Sequence, residues 1–295
     1  MIAKSISRES VRRRGRKFVG PLKIMHLWNT AGIGGLIARY MDRMKGTDSS
    51  AYMWDKWDPF DQATEKTLVY STILGKLKVP TLLRTARHYD IIHNHGLDGM
   101  TPWLRLLYPN KKIILHYHGT RIRGKWKQKK KFWRYADRIL VSTPDLLEGA
   151  PEGVLYIPNL IDWDTIDELR ESGSYRCPGA FSVSRWCDDE AVEIAEANEL
   201  SLNFHDRLEN PMNHIDFLKV LNQYTVYIDI KRDFYSVPGS DVILRAHSLT
   251  GLEALGLGLK VLNWDGEESD IDISKHRPEN VIPLLWTVYT EDESS

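Results

Sequence analysis

Ser248-Leu249-Thr250-Gly251-Leu252-Glu253-Ala254-Leu255-Gly256-Leu257-Gly258-Leu259-Lys260-Val261-Leu262 is the stretch whose residue types and spacing say most about chemistry. It reads as a helix start capped by Ser248 or Thr250, one acidic residue, a glycine turn and a buried strand. The start of a helix offers free N–H groups and partial positive charge, a ready site for phosphate. Glu253 falls within the first turns, where a carboxylate can accept hydrogen bonds from ribose hydroxyls.

A second group of reactive side chains sits at strand ends in the first half. Asp90-Ile91-Ile92-His93-Asn94-His95-Gly96 and Lys112 to His116, continuing Tyr117-His118-Gly119-Thr120, are short apolar runs that end in histidines. Alternation along a strand turns His116 the same way as His118, and His93 the same way as His95. The H-x-H spacing of His93 and His95 suits a metal. No third ligand of suitable spacing is evident, so no metal is expected. Asp98 follows at the strand end, placed to act as a general base on a hydroxyl.

Stepping from these residues to the elements that must hold them gives an alternation of strands and helices. Lys23 to Trp28 is a strand, Asn29 to Gly35 a glycine-rich turn, and Leu36 to Met41 the start of a helix. Gly32 to Gly35 lacks G-x-G-x-x-G spacing, and no acidic residue ends the next strand, near Ser50 to Met53, so a dinucleotide fingerprint is not supported. A helix follows near Val79 to His88, then a short one over Met100 to Tyr108, a basic one over 125–136, and strands over Arg138 to Ser142 and Val154 to Ile157. The second half repeats the pattern, with strands near Gly179, Leu200, Thr225 and Lys260 and a closing helix over Asn280 to Tyr289. This predicts two Rossmann-like, doubly wound parallel sheets with a cleft between them, where ligands sit beyond the carboxyl ends of the strands. The expected division is a basic flexible arm over 1–20, an N-terminal lobe over 21–160 and a C-terminal lobe over 161–295.

The totals bound the class. The 295 residues carry zero net charge. Residues 1–150 hold 29 Lys and Arg against 12 Asp and Glu, a net of +17, and the remainder is −17. The basic half should meet something anionic, and the two halves should attract across the cleft. Two cysteines make neither a disulfide framework nor a metal motif, which points to a reducing, cytoplasmic compartment. No apolar run approaches the ~18 residues of a membrane span, and no secretory leader is read at the start.

The ordered motifs carry a resemblance. Asp90 to Gly96, His116-Tyr117-His118-Gly119-Thr120, Ala136-Asp137-Arg138-Ile139-Leu140-Val141-Ser142-Thr143-Pro144 and Tyr156-Ile157-Pro158-Asn159-Leu160-Ile161-Asp162 look like the successive strand ends of family 4 glycosyltransferases of the GT-B fold. The glycine turn stands ahead of them and the Leu-Glu-Ala helix behind, over roughly residues 22–265. The resemblance implies a sugar transferred from a nucleotide-diphosphate-sugar donor on the C-terminal lobe to an acceptor hydroxyl on the basic N-terminal lobe, with retention and without a cofactor or metal. It further implies that His118 contacts the transferred sugar and that His95 lines the acceptor pocket. Gly34 and Gly35 would let the backbone approach the donor, Arg185 would bind the diphosphate, and Glu253 the ribose. Two departures stand out. The Lys expected shortly after Arg185 is replaced by Cys187-Asp188-Asp189-Glu190, leaving Lys231 and Arg232 as substitutes. The first acid of the E-x7-E pair is Arg245, which would neutralise phosphate instead, with Asp241 nearby as a carboxylate.

The cations Arg121, Arg123, Lys125, Lys127, Lys129, Lys130, Lys131 and Arg134 interleave with Trp126, Phe132 and Trp133. This composition suits an anionic membrane surface or a lipid-carrier acceptor. A glycan acceptor and nucleic acid are further readings of the basic half. Rival activities are a nucleotide-sugar epimerase of the same fold and a degenerate, non-catalytic binder of glycans or anionic surfaces.

Overall fold

A computed structural model describes residues 20–71, 75–119, 121–173, 176–183, 187–207, 209–231 and 243–291. The basic arm, Thr120, Arg185, Arg232 and Asp241 lie outside the described residues.

Two parallel sheets form as expected. The first joins β1 (Lys23–Leu27), β2 (Asp48–Trp54), β3 (Thr67–Tyr70), β4 (Ile91–His95), β5 (Lys112–Tyr117), β6 (Arg138–Val141) and β7 (Val154–Tyr156) in the order β3-β2-β1-β4-β5-β6-β7. Helices α1 (Ile33–Lys45), α2 (Gly75–Thr85), α3 (Thr101–Leu107) and α4 (Trp126–Trp133) make the crossovers. The order reverses between β1 and β4, the switch point at which such sheets open a ligand crevice. The second sheet joins β8 (Cys177–Val183), β9 (Leu202–His205), β10 (Tyr224–Ile228) and β11 (Lys260–Leu262) in the order β11-β10-β8-β9. Helices α6 (Asp188–Ala197), α7 (His214–Leu221) and α8 (Leu249–Leu257) connect its strands. Among the described residues no helix is long and apolar enough to cross a membrane.

The central strands are covered on both faces, which is why Ile91-Ile92 and Ile113-Ile114-Leu115 read as unbroken apolar runs. On one face Ile24, Ile91 and Ile114 pack with Leu36, Ile37 and Tyr40 of α1 and with Val281, Ile282, Leu285 and Tyr289. The last four belong to α9 (Pro278–Thr290), so the closing helix crosses back to the first sheet rather than onto the second. On the other face Met25, Leu27, Ile92 and Ile113 meet Leu82 and Leu104.

Two elements escape the sequence reading. β3 adds an edge to the first sheet, paired parallel to β2 from Ala51–Thr67 to Trp54–Tyr70. The segment taken as an interlobe boundary holds a helix, α5 (Trp163–Glu171), whose cap Asp162 accepts from Thr165 N and whose Trp163 and Ile166 are buried. Gly256 of α8 allows the close approach, because a Cβ there would stand 2.8 Å from Ile161 Cδ1.

The expected attraction between basic and acidic halves takes a specific form. Arg39 Nη1 of α1 lies 3.1 Å from each carboxylate oxygen of Asp162, and Arg43 bonds both oxygens of Asp164 at 2.8 and 2.9 Å. His214 N donates to Phe60 O at 2.7 Å. Within the acidic half, His276 Nδ1 bonds Asn159 O at 2.8 Å, and Trp163 Nε1 donates to His276 O at 2.9 Å.

Candidate active site between the two sheets

The face of the first sheet that packs under α1 and α9 changes character toward its carboxyl end. Two residues beyond Ile24, Ile91 and Ile114 stand His26, His93 and His116, and two beyond those His95 and His118. Parallel pairing sets His26 beside His93 and His95 beside His116. Five imidazoles therefore share one face at the switch point, all buried except His118, which is half-buried. Their ring nitrogens form two chains. In one, His26 Nδ1 meets His95 Nε2 at 3.0 Å, His95 Nδ1 meets His118 Nε2 at 3.0 Å, and His118 Nδ1 meets Asn159 Oδ1 at 3.3 Å. In the other, Tyr289 Oη meets His93 Nδ1 at 2.7 Å and His93 Nε2 meets His116 Nδ1 at 3.2 Å.

Burial holds the whole cluster neutral. It pushes His26 down to about 3 and His93, His95 and His116 well below the ordinary histidine range, with the neighbouring imidazoles adding repulsion to the last three. His118 is pushed down to about 4 by burial, against the opposing bond to Asn159. Proton placement in the first chain then follows from its end. With Asn159 Oδ1 accepting, His118 Nδ1 donates, so His95 Nδ1 and His26 Nδ1 donate in turn. This leaves His26 Nε2 as a buried lone pair with no partner, and His116 Nε2 is likewise unpartnered. The sequence reading found no third ligand for His93 and His95. The sheet supplies one from each neighbouring strand, and the ring nitrogens of His26, His93 and His95, and of His95, His116 and His118, form two groups within 4.8 Å.

In the second lobe the mouth of α8 is built as expected, with one addition. Ser248 Oγ accepts from Gly251 N at 2.8 Å and is thereby committed to capping, leaving Thr250 one turn position further in. The addition is Asp229, just past β10. Its Oδ2 accepts from Ser248 N at 2.8 Å and meets His247 Nδ1 at 3.0 Å, while His247 Nε2 meets Ser269 Oγ at 3.0 Å. Although burial opposes it, bonds from His247 and Ser248 and the charge of Lys231 hold the Asp229 carboxyl below its usual range. An anion of the protein thus already sits at the positive end of α8. Lys231 Nζ reaches His247 O at 3.5 Å. Glu253, one turn inward, is 3 % exposed. Its Oε1 takes His214 Nε2 at 2.9 Å, and its Oε2 has no partner.

Between the lobes lies a cavity of about 490 Å³. Its N-lobe wall is Ser142, Thr143 and Tyr156, at the carboxyl ends of β6 and β7. Opposite stand Arg245, His247, Trp264 and Lys275, around the start of α8 and the end of β11. Arg245, at the position where the family resemblance expects an acid, is therefore a cavity cation.

Other sequence candidates fall elsewhere. Gly34 and Gly35 are buried within the first lobe. Gly35 N donates to Asn29 Oδ1 at 2.8 Å, and a Cβ on Gly35 would meet Thr64 and, at 2.6 Å, Thr67 Oγ1, so the smallness of Gly35 admits the start of β3 and the loop before it, while Gly34 packs on His26 and Asn29. Asp98 is not brought to His118. It accepts from Tyr117, on the opposite face of β5, and pairs with Lys129 Nζ at 2.8 Å. In the basic segment Trp126 is buried and its Nε1 donates to Leu146 O, while Trp133 Nε1 donates to Trp126 O. These indoles pack inward, and Arg123 pairs with Asp145. The cations left on the exposed face include Arg121, Lys127, Lys130, Lys131 and Arg134. The sequence reading missed Asp229 and His247, which lie outside the helices and strands, and Lys275 and His276, which end a short 3-10 turn. His26 was legible in retrospect, as a third histidine on a strand of the same face.

No protein-family model matches the chain, and no curated protein does. Solved structures similar in chain path include a putative UDP-N-acetylglucosamine 2-epimerase from Listeria monocytogenes, 14% identical, with a TM-score of 0.49 and coverage of 93% of this chain and 90% of that one. The UDP-GlcNAc 2-epimerase from Methanocaldococcus jannaschii is 12% identical, with a TM-score of 0.48 and coverage of 93% and 94%. The spinosyn forosaminyltransferase SpnP is 8% identical, with a TM-score of 0.47 and coverage of 92% and 91%.

Proposed function

We propose that this chain is a sugar transferase that moves a hexose or related sugar from a nucleotide-diphosphate donor to a hydroxyl. The observation that carries the reading is the interlobe cavity at the carboxyl ends of both sheets, with Arg245, His247 and Lys275 on its C-lobe wall. Parallel doubly wound sheets bind ligands at such ends. A diphosphate leaving group needs cations, and Arg245 and Lys275, with Lys231 behind them, meet the negative charge that develops as the glycosidic bond breaks. In this proposal Glu253 Oε2 receives a ribose hydroxyl. His118 receives the sugar by exchanging its bond to His95 for one to a sugar hydroxyl.

A panel of UDP-, GDP-, ADP- and dTDP-sugars tests this by thermal shift. A donor present at about 100 times its dissociation constant adds ~2.7 kcal/mol of stability. The same shift is expected in chelator, because the donor's charge is met by side chains. No shift from any nucleotide sugar would overturn the proposal. A donor that binds and changes configuration at a ring carbon with no acceptor present would replace transfer by epimerisation.

The acceptor side of the proposal is an anionic membrane or lipid carrier. Trp103, Leu106 and Leu107 of α3 are 58%, 71% and 50% exposed, and α3 packs beside the basic helix α4. An exposed apolar strip on a helix that contacts one bearing exposed Lys127, Lys130 and Lys131 has the composition of an interfacial surface. Each cation contributes about 1 kcal/mol near an anionic bilayer. Replacing Lys127 and Lys130 by Gln is therefore expected to weaken vesicle binding by roughly tenfold or more. Flotation with phosphatidylserine vesicles measures it, and a DNA mobility shift run alongside separates the nucleic-acid reading. Equal flotation of wild type and variant would remove this surface from the proposal.

A further inference from the structure

Five histidines on one face of a parallel sheet, at its switch point, are more than a nucleotide-sugar cleft requires. Three of them are arranged as ligands. His95, His116 and His118 each offer a ring nitrogen, and these atoms lie within 4.8 Å of one another. The pair His95 Nδ1 and His118 Nε2 stands 3.0 Å apart. Nitrogens bound tetrahedrally to one zinc-sized ion at ~2.0–2.1 Å stand about 3.3 Å apart, so side-chain adjustments of a few tenths of an ångström at this pair would admit the ion.

The remaining nitrogen of each ring is anchored. His95 Nε2 is held by His26 Nδ1 at 3.0 Å, His118 Nδ1 by Asn159 Oδ1 at 3.3 Å, and His116 Nδ1 by His93 Nε2 at 3.2 Å. His93 is fixed in turn by Tyr289 Oη at 2.7 Å. Metal-bound histidines characteristically carry such outer partners, which fix ring orientation. An ion on His95 Nδ1 displaces the proton that nitrogen carries in the ion-free chain, and His95 Nε2 then donates to His26 Nδ1. His116 Nε2 is buried and has no partner, an expensive omission unless something meets it.

The alternative group, His26, His93 and His95, is buried throughout, whereas His118 is half-buried at the strand end and gives the first group an accessible edge. We infer that His95, His116 and His118 bind a divalent transition metal ion of the zinc class, with Asn159, His26 and His93 as outer partners and a fourth position open at the half-buried edge of His118. Three imidazoles and one open position favour zinc, cobalt or nickel over magnesium or calcium, which prefer oxygen ligands. The inference does not rest on the proposed transferase reading, although it uses His118, which that reading places on the transferred sugar.

The test uses the full chain, stripped with a chelator, dialysed and titrated with Zn²⁺ and with Co²⁺. About one ion per chain is expected, with a rise in unfolding temperature on Zn²⁺ and the visible absorption of tetrahedral Co²⁺. His118→Gln, at the half-buried edge, is expected to weaken Zn²⁺ binding by at least 100-fold and to remove the Co²⁺ band. Asn159→Ala should cost the 10–100-fold typical of an outer partner. Circular dichroism of each variant establishes that it is folded. If His118→Gln does not fold, Asn159→Ala and the wild-type Co²⁺ spectrum decide. Wild type that binds less than a stoichiometric ion, or an octahedral Co²⁺ spectrum, would overturn the inference. So would binding lost in a folded His93→Gln variant but intact in His118→Gln, which would place the ion in the deeper group.

Discussion

Gly251→Ala is expected to destabilise the protein by about 2–4 kcal/mol, although alanine is normally the better helix residue by ~1 kcal/mol. Gly251 sits in the first turn of α8, where its amide donates to Ser248 Oγ. A Cβ at that position would lie 2.6 Å from Asp229 Cγ and closer still to Oδ2. The carboxylate has nowhere to go, since Asp229 is 3 % exposed and bonded to Ser248 N and His247. Overpacking of this kind costs ~1–3 kcal/mol, and leaving the buried Asp229 carboxylate short of a hydrogen bond costs ~1–3 kcal/mol, of which the helix gain offsets a part. Denaturant unfolding of Gly251→Ala, Asp229→Ala and the double variant measures the effect. The double variant should be no less stable than Asp229→Ala alone, because removing the carboxylate removes the clash. Strict additivity of the two losses would show that Gly251 is required for some other reason.

That expectation also marks where sequence reasoning stops. Ser248 and Glu253 were legible because capping and helix spacing are local rules. Asp229 was not, because nothing near Ile228-Asp229-Ile230 says that its carboxylate will turn onto a helix mouth about twenty residues later. The parallel sheets were legible for the same reason as the cap. Runs such as Ile113-Ile114-Leu115 between charged turns leave few other folds. The histidines fall between the two cases. Their positions at strand ends could be read, and so could their alternation. Their assembly needed the strand order β1-β4-β5, which brings His26 beside His93 and His95 beside His116. Asp98 shows the converse. It stands three residues from His95 in the chain, yet it accepts from Tyr117 on the other face of the sheet and is neutralised by Lys129. The basic helix was read as an interfacial element from its tryptophans, and those tryptophans point inward. The apolar surface beside it comes from α3, whose exposed leucines no periodicity distinguishes from core residues.

Glu253→Ala is expected to weaken donor binding by about 1.5–3 kcal/mol, the range for a hydrogen bond to a charged group, or roughly 10–150-fold. It should also cost stability on its own account. Glu253 Oε1 accepts from His214 Nε2 at 2.9 Å, with the two side chains 3% and 14% exposed. Burial pushes the His214 imidazole down, but the charge and hydrogen bond of Glu253 outweigh it, and its pKa lies above the ordinary value. A folded pKa above the unfolded one means that folding favours the proton. The stabilisation from this pair is therefore complete below the unfolded histidine pKa of ~6.5 and is lost as pH rises through the folded value. Removing the carboxylate takes away what holds the proton, so burial then favours neutral His214 and the stabilisation that the pair gives at acid pH is lost. At alkaline pH His214 is neutral, and the cost shrinks toward that of one hydrogen bond. Unfolding of wild type and Glu253→Gln from about pH 6 to pH 9 follows this directly, and calorimetry with the nucleotide sugar that gives the largest thermal shift follows the binding. The stability gap should narrow as pH rises. A constant gap would show that Glu253 acts through packing alone, and unchanged donor affinity in a folded variant would take its unpartnered Oε2 out of the ribose site.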